Sequence, residues 1–234
     1  MNTQLIQKAA IFGIKKFIFV SSACAYPEFP PIPTKEFHLH KGFPEPSNGS
    51  YGISKRIALT QLEACKQEWG MDFEYPILAN LYGPGDKSNH VIPMLIGKFE
   101  DAKFGVVASI NENEVLMNPP LGKVEIWGDG SQTRDFLYVI DAARAIHKLI
   151  DSNIGEPVNI AHGNSITIKM LVNHLTELFD YQGEVIYNTN KPMGQKHRSY
   201  DIKKAKQFLD WQPEVSIKEG LRETIAFYQT SMEK

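Results

Sequence analysis

Tyr51 and Lys55 stand four residues apart in Tyr51-Gly-Ile-Ser-Lys55, a spacing that on a helix sets a phenol and an ammonium on one face, one turn apart. An ammonium at that distance favours the phenolate form of a tyrosine and makes its hydroxyl a usable proton relay near neutral pH. Chance places the same spacing on many surface helices, so the pair takes its meaning from its surroundings. Upstream, Ser22-Ala-Cys24-Ala-Tyr26-Pro27 follows a short apolar run directly. That puts Ser22 at the carboxyl end of a strand, where open α/β sheets bind their ligands. Downstream, Leu81-Tyr82-Gly83-Pro84 follows the next strand at the equivalent edge. His38 and His40 mimic a metal pair, but no carboxylate or cysteine cluster completes it, and solvated loop histidines are the expectation.

The elements that must carry these residues can be read from periodicity. Residues 3–13 read as a helix with an apolar stripe of Leu5, Ile6, Ala9, Ala10 and Phe12, and Lys15–Ser21 as a short buried strand. Residues 22–50 are rich in Pro, Gly and aromatics, which predicts a long ordered loop, usually a functional one. Tyr51–Trp69 is the clearest helix, with Ile53, Ile57, Ala58, Leu62, Cys65 and Trp69 on one side, and Asp72–Asn80 reads as a strand. A helix is expected from about His90 to Ala102, an irregular stretch over 103–122, and strands at Val124–Trp127 and Phe136–Val139. There follow a helix over Asp141–Asp151, a strand over Val158–Ala161, and a helix capped by Thr167 and ending at Phe179. Val185–Tyr187 reads as a strand, a short helix capped by Asp201 runs to Leu209, and Ile217–Gln229 is the last helix. Strands alternating with helices imply an α/β fold with a mainly parallel sheet. The strand, Gly-rich turn and helix that grip a dinucleotide are not found after any of these strands, so the fold reads as a partial Rossmann-like sheet with its N-terminal strands missing.

Composition bounds the function classes. The 234 residues are 42% hydrophobic and 22% charged, which excludes a disordered or collagenous chain. A net charge of −2 advertises no nucleic-acid groove, and the longest apolar runs are too short to cross a bilayer. Two cysteines and no apolar leader make a reducing cytoplasm the default setting.

Three strand-end motifs around one Tyr/Lys helix resemble the extended short-chain dehydrogenase/reductases, the NAD(P)-dependent nucleotide-sugar epimerase/dehydratase family. Six segments resemble its GDP-L-fucose synthase branch: Ala23-Cys24-Ala-Tyr-Pro, Glu45-Pro-Ser-Asn-Gly-Ser-Tyr51, Asn80-Leu-Tyr-Gly-Pro84, Ser88-Asn-His90-Val-Ile-Pro93, Trp127-Gly-Asp-Gly-Ser-Gln-Thr-Arg134 and Lys191–Arg198. Together they cover essentially the whole chain. The related GDP-mannose 3,5-epimerases share two of them but carry Lys where this chain has His90. The resemblance implies C3/C5 epimerisation of GDP-4-keto-6-deoxy-D-mannose, then reduction of its C4 ketone with NADPH. The alternatives are another nucleotide-sugar epimerase or dehydratase and a non-catalytic paralogue.

Carried over residue by residue, the resemblance makes Cys24 and His90 the acid/base pair of epimerisation. Ser22 and Tyr51 hydrogen-bond the C4 oxygen, and Lys55 tunes Tyr51 and holds the nicotinamide ribose. Contacts to NADP(H), or NAD in its place, would come from Ser21, Ser22, Tyr51, Lys55, Leu78, Ala79, Asn80, Leu81 and His90. Contacts to the nucleotide sugar would come from Asn80, Lys98, Trp127, Arg134 and Arg198. Three departures stand out: Lys98 replaces the usual Arg, Leu78 replaces the usual Pro, and the loop Pro84–Ser88 is short. The resemblance divides the chain into 1–84 plus 136–162, the remnant of a dinucleotide domain, and 85–135 plus 163–234, a smaller α/β nucleotide-sugar domain. It also implies a homodimer built on the 3–13 and 51–69 helices. Without a Gly-rich phosphate grip, weak NADPH binding, little or no turnover and self-association are expected of the 234 residues.

Overall fold

The computed structural model describes residues 1–104, 122–191 and 194–232. Most of the irregular stretch expected over 103–122, and Pro192-Met193 of the Lys191–Arg198 motif, lie outside these. In chain order the elements are α1 (Asn2–Ile11), β1 (Lys16–Ile18), β2 (Ser21–Ser22), α2 (Gly49–Trp69), β3 (Asp72–Leu78), β4 (Asn80–Tyr82) and α3 (Val91–Phe104). Then come β5 (Val124–Trp127), β6 (Thr133–Arg134), β7 (Phe136–Tyr138), α4 (Val139–Asp151), β8 (Pro157–Ile160), β9 (Ile166–Thr167) and α5 (Ile168–Leu178). The chain ends with β10 (Val185–Asn188), α6 (Lys203–Leu209) and α7 (Ile217–Met232).

The chain divides into two compact units, 1–81 with 135–165 and 198–215, and 82–134 with 166–197 and 216–234. The stretch 198–215, expected with the second unit, packs in the first. Its α6 lies against β8, Asn159 Nδ2 donates to the Asp201 carbonyl (3.0 Å), and Trp211 Nε1 donates to the Asp141 carbonyl (3.2 Å).

In the first unit β3 is the middle strand, with β1 and β2 parallel to it on one side and β8 parallel on the other. The single strand expected over Lys15–Ser21 is found in two pieces, joined across the gap by the Phe19 amide donating to the Glu74 carbonyl (2.9 Å). β3 is buried along its length after Asp72, as a parallel strand covered on both faces must be. Its side chains alternate: Tyr75 reaches α2, whereas the neighbouring Glu74 accepts from Ser152 Oγ (2.9 Å) and the Ile154 amide (3.0 Å) just past α4. Helices therefore cover both faces of this sheet.

α2 begins at Gly49 and ends on left-handed Gly70 (φ 69°). Its buried line is Gly52, Ala58, Leu59, Leu62 and Cys65, and Ile57 and Trp69, expected inside, are 53% and 42% exposed. The face is set by the first turn, where Gly52 meets the strand-end segment, and Ile57 sits about 100° away from the Ala58 direction. In α1 likewise, Ile6 and Ala10 are buried, whereas Leu5 and Phe12 face solvent.

The loop over 22–50 is pinned rather than free. It contains 3-10 turns at Ala23–Ala25, Glu36–His38 and Pro46–Asn48. Buried Asn159 of β8 is its anchor: Oδ1 accepts from Tyr26 Oη (2.6 Å), Nδ2 donates to the Thr34 carbonyl (3.0 Å), and its amide donates to Glu36 Oε1 (2.9 Å). Tyr26 stacks on Tyr200 at 5.9 Å, and burial followed by the Glu36 charge pushes its phenol well above the usual range. His38, expected in solvent, is buried with Nδ1 accepting the Lys35 amide (3.1 Å), whereas His40 is exposed.

In the second unit β10 pairs parallel with β5, and β6 pairs antiparallel with β9. α5 starts as expected, with Thr167 Oγ1 accepting the Met170 amide (3.0 Å). Phe99 of α3 stacks on Phe179 at 5.6 Å and meets the edge of Tyr181 at 5.3 Å, which gives this unit an aromatic centre.

Asn159→Ala removes the anchor and leaves buried Tyr26 Oη and two carbonyls without it. The expected cost is about 2–5 kcal/mol. Urea unfolding should show it, together with faster tryptic cleavage at Lys35 and Lys41. An unchanged midpoint would mean that the loop is held elsewhere.

Candidate functional site

Ser22 ends β2 and caps the turn that follows, its Oγ accepting the Cys24 amide at 3.2 Å. That bond uses the hydroxyl as acceptor and leaves its proton free to be donated outward. The turn leaves the Cys24 thiol half-buried and unpaired. Two contacts bring α2 onto this turn. A Cβ on Gly52 would lie 2.4 Å from the Cys24 carbonyl oxygen and 2.9 Å from Pro44 Cβ, so only glycine fits. One turn on, Arg56 Nε donates to the Ala25 carbonyl and its guanidinium also donates to the Gly42 carbonyl, each at 2.6 Å. The helix start, the strand end and the loop are thereby fixed as one body, with Tyr51 and Lys55 beside Ser22 and Cys24 in the same unit.

Tyr51 is 47% exposed. The Lys55 ammonium lies 5.3 Å from the Tyr51 ring centre and 4.8 Å from that of Phe19, and donates to the Val20 carbonyl at 2.9 Å. Burial holds the Lys55 ammonium below the usual lysine range. An ammonium has three N–H groups, and Val20 accounts for one, so the donor set suits the vicinal hydroxyls of a ribose next to an exposed phenol. The residues present therefore fit the nicotinamide-ribose end of a dinucleotide. Among the described residues no strand, Gly-rich turn and helix supply the pyrophosphate end.

Periodicity misses one residue here. Tyr75, in the middle of β3 and fully buried, accepts from Ser21 Oγ (2.8 Å) and donates to the Lys55 carbonyl (2.8 Å). Burial pushes its phenol up to about 12. In sequence, an aromatic inside an apolar strand reads as core, and nothing marks the hydroxyl. Of the other cofactor candidates in this unit, Ser21, Leu78 and Ala79 are buried. Leu78 and Ala79 can offer main-chain groups only, whereas Asn80 and Leu81 are half-buried.

Arg198, also in the first unit, is paired with Glu45 at 3.1 Å. The remaining candidates lie in the second unit. His90 is exposed immediately before α3; its amide donates to Ser88 Oγ (3.3 Å) and its carbonyl accepts the Met94 amide (3.0 Å). Lys98 Nζ donates to the Glu125 carbonyl at 2.7 Å, and Arg134 donates to the Thr133 carbonyl at 2.8 Å. Trp127 is 47% exposed, with the Lys191 ammonium 5.7 Å from its ring centre. After it, Asp129 Oδ1 accepts the Ser131 amide (2.8 Å), which closes the Gly128–Gly130 turn. Among the described residues no cluster of three His, Cys, Asp or Glu could hold a metal ion, and no helix is long and apolar enough to cross a membrane.

Residues 1–161 match the family described as the NAD dependent epimerase/dehydratase family. Probable GDP-L-fucose synthase 1 of Oryza sativa subsp. japonica is 34% identical over 234 residues, 97% of this chain and 67% of that protein. The chain spans about two thirds of the length of such curated relatives. A crystal structure of a GDP-L-fucose synthetase from Naegleria fowleri shares the fold at TM-score 0.85 and 24% identity, over 100% of this chain and 71% of that one. MlghC, a GDP-mannoheptose C4 reductase from Campylobacter jejuni with NADP bound, matches at TM-score 0.81 and 28% identity, over 97% of this chain and 72% of that one.

Gly52→Ala tests the close approach. The added methyl has to push the α2 start off the Cys24 carbonyl, at an expected cost of about 1–3 kcal/mol. The Cys24 thiol should at the same time react faster with a neutral disulfide reagent. Native stability and native thiol reactivity together would show that the turn is not held by this contact.

Proposed function

Since this chain belongs to the NAD-dependent epimerase/dehydratase family, we propose that it is a nucleotide-sugar epimerase/reductase of the GDP-L-fucose synthase type. Its substrate would be GDP-4-keto-6-deoxy-D-mannose, epimerised at C3 and C5 and then reduced at C4. The observation that carries this reading is the Tyr51–Lys55 pair clamped beside the Ser22–Cys24 turn at the end of β2. The fucose-synthase names among its relatives support the sugar.

The chemistry asks for a base and an acid at carbons next to a ketone, with the enolate oxygen stabilised. Cys24 and His90 are assigned the removal and return of protons at C3 and C5. Ser22, whose hydroxyl proton is left free by the Cys24 amide, donates to the C4 oxygen as enolate charge develops. NADPH supplies, when bound, the hydride for C4. Tyr51 gives the C4 oxygen its proton, and Lys55, whose ammonium lies 5.3 Å from the Tyr51 ring centre, would hold the ribose hydroxyls. Asn80, Lys98, Trp127, Arg134 and Arg198 are assigned to the GDP-sugar: cations for the pyrophosphate, and the indole for a flat face. A cytoplasmic setting suits a free Cys24 thiol as acid/base.

Deuterium exchange separates the half reactions. In D2O the chain should put deuterium at C3 and C5 of the keto-sugar without any NADPH. Cys24→Ala should slow this by at least about 100-fold, whereas Tyr51→Phe should leave the exchange unchanged. No exchange with the native chain, or full exchange in Cys24→Ala, would overturn the assignment.

A homodimer belongs to the same proposal. α1 and α2 leave Leu5, Ile11, Phe12 and Ile57 exposed, side chains that a two-fold partner presenting the same helices would cover. Light scattering should give a dimer at micromolar concentration, and Ile57→Lys a monomer. A native monomer would count against it.

A further inference from the structure

We infer that Tyr75 is a positioning residue for the Tyr51–Lys55 pair, its phenol tying the helical turn that carries Lys55 to Ser21 of β2. The inference rests on reading Tyr51 and Lys55 as the reducing pair, but its geometry stands within one compact unit.

Lys55 is held twice, by the consecutive residues Val20 and Ser21 where β2 begins. Its ammonium donates directly to the Val20 carbonyl at 2.9 Å. Its own carbonyl is reached from Ser21 through Tyr75: Ser21 Oγ donates to Tyr75 Oη, which donates to the Lys55 carbonyl, each at 2.8 Å. In an α-helix that carbonyl already accepts the amide four residues on, so the phenol adds a bond beyond what the helix requires. The register makes this reach natural. Ser21 pairs with Ile77, so Tyr75 is its diagonal neighbour, at a distance an aromatic side chain spans. The Tyr75 ring stacks on Phe19 at 5.8 Å and 11°, and Phe19 in turn lies under the Lys55 ammonium. Tyr75, Phe19, Lys55 and Tyr51 thus form one column from the sheet interior to the exposed phenol.

Tyr75 is 0% exposed, so it touches neither substrate nor cofactor and acts through the residues it bonds, Ser21 and Lys55. The titratable group over Lys55 is Tyr51, and those acting on Tyr75 are Arg56, Glu63 and Tyr51. A tyrosine that merely fills the core would change stability when its hydroxyl is removed and leave the Lys55 ammonium where it is. A positioning tyrosine would release that ammonium toward water.

Tyr75→Phe keeps the ring stack and deletes both hydrogen bonds. The readout is the NMR titration of 13C-dimethylated lysines in the whole chain, with the Lys55 signal assigned by its loss in Lys55→Arg. This needs neither cofactor nor turnover. Expected is an upward move of the Lys55 midpoint by about 0.5 pH unit or more, as its desolvation is relieved. Ser21→Ala, which cuts only the upper link, should move it the same way, and the double variant no further than Tyr75→Phe. Leu62→Ala, a core truncation elsewhere on α2, should lower stability and leave the midpoint in place. An unmoved Lys55 midpoint in folded Tyr75→Phe would overturn the inference; should that variant not fold, an unmoved midpoint in Ser21→Ala would do so. Loss of the function reading itself would show separately, as failure of the native chain to put deuterium at C3 and C5 of the keto-sugar.

Discussion

A missing methyl group sets the geometry of this site. At Gly52 the first turn of α2 lies so close to the Cys24 carbonyl that any Cβ would stand 2.4 Å from it. Because that turn can be flush against the strand end, the residue before it and the residue three after it, Tyr51 and Lys55, are delivered to the same edge as Ser22 and Cys24. The remaining contacts hold what this approach allows. Arg56 ties the second turn to the Ala25 and Gly42 carbonyls, and Lys55 reaches back to Val20. A helix one residue out of phase would present Ile53 to the carbonyl and swing the phenol by about 100°.

Around this contact the structure uses buried polar groups to give one shape to segments without regular structure. Asn159 spends its side-chain donors and acceptor on Tyr26, Thr34 and Asp201. Asp135 does the same for the His162 and Gly163 amides, at 2.8 and 3.0 Å, and burial still raises its carboxyl above the usual range. Asp141, at the start of α4, accepts the amides of Glu214 and Val215. Each such group costs desolvation and is tolerable only when fully bonded, so each specifies one arrangement of the loop it binds. A functional loop over 22–50 can therefore be long without being loose, which a site built from a turn requires.

The pattern of helices and parallel strands is legible in the sequence, as are the neighbours Ser22, Cys24, Tyr51 and Lys55, because strand ends and helical spacing are local properties. What escapes the sequence depends on partners far along the chain. Apolar periodicity in α2 is broad enough to put Ile57 and Trp69 inside, and only the Gly52 contact fixes the face that leaves them exposed. Tyr75 and Asn159 sit in strands that read as core; their polar atoms matter because of Ser21 and Lys55, or Thr34 and Asp201, which no window of sequence contains. His38 reads as a solvated loop histidine until the turn that buries it is seen. The stretch 198–215 follows second-unit elements in sequence and packs on β8 of the first.

The cations assigned to phosphate differ in what they must give up. Guanidinium geometry favours Arg198, which can grip a phosphate with two parallel bonds, over Lys98, a point charge on a flexible stem. Arg198, however, is already paired with Glu45 at 3.1 Å, with both side chains mostly buried. A phosphate drawn to it exchanges one charge-assisted bond for another and leaves a carboxylate to be rehydrated or to stand beside the incoming anion. Lys98 gives up only the neutral Glu125 carbonyl, an exposed bond worth far less than a buried charge pair. Desolvation thus reverses the order that side-chain geometry alone would set. On the proposed assignment, the Lys that departs from the usual Arg would be the cheaper phosphate ligand, and Glu45 would make Arg198 selective for a ligand able to take over the role of its carboxylate.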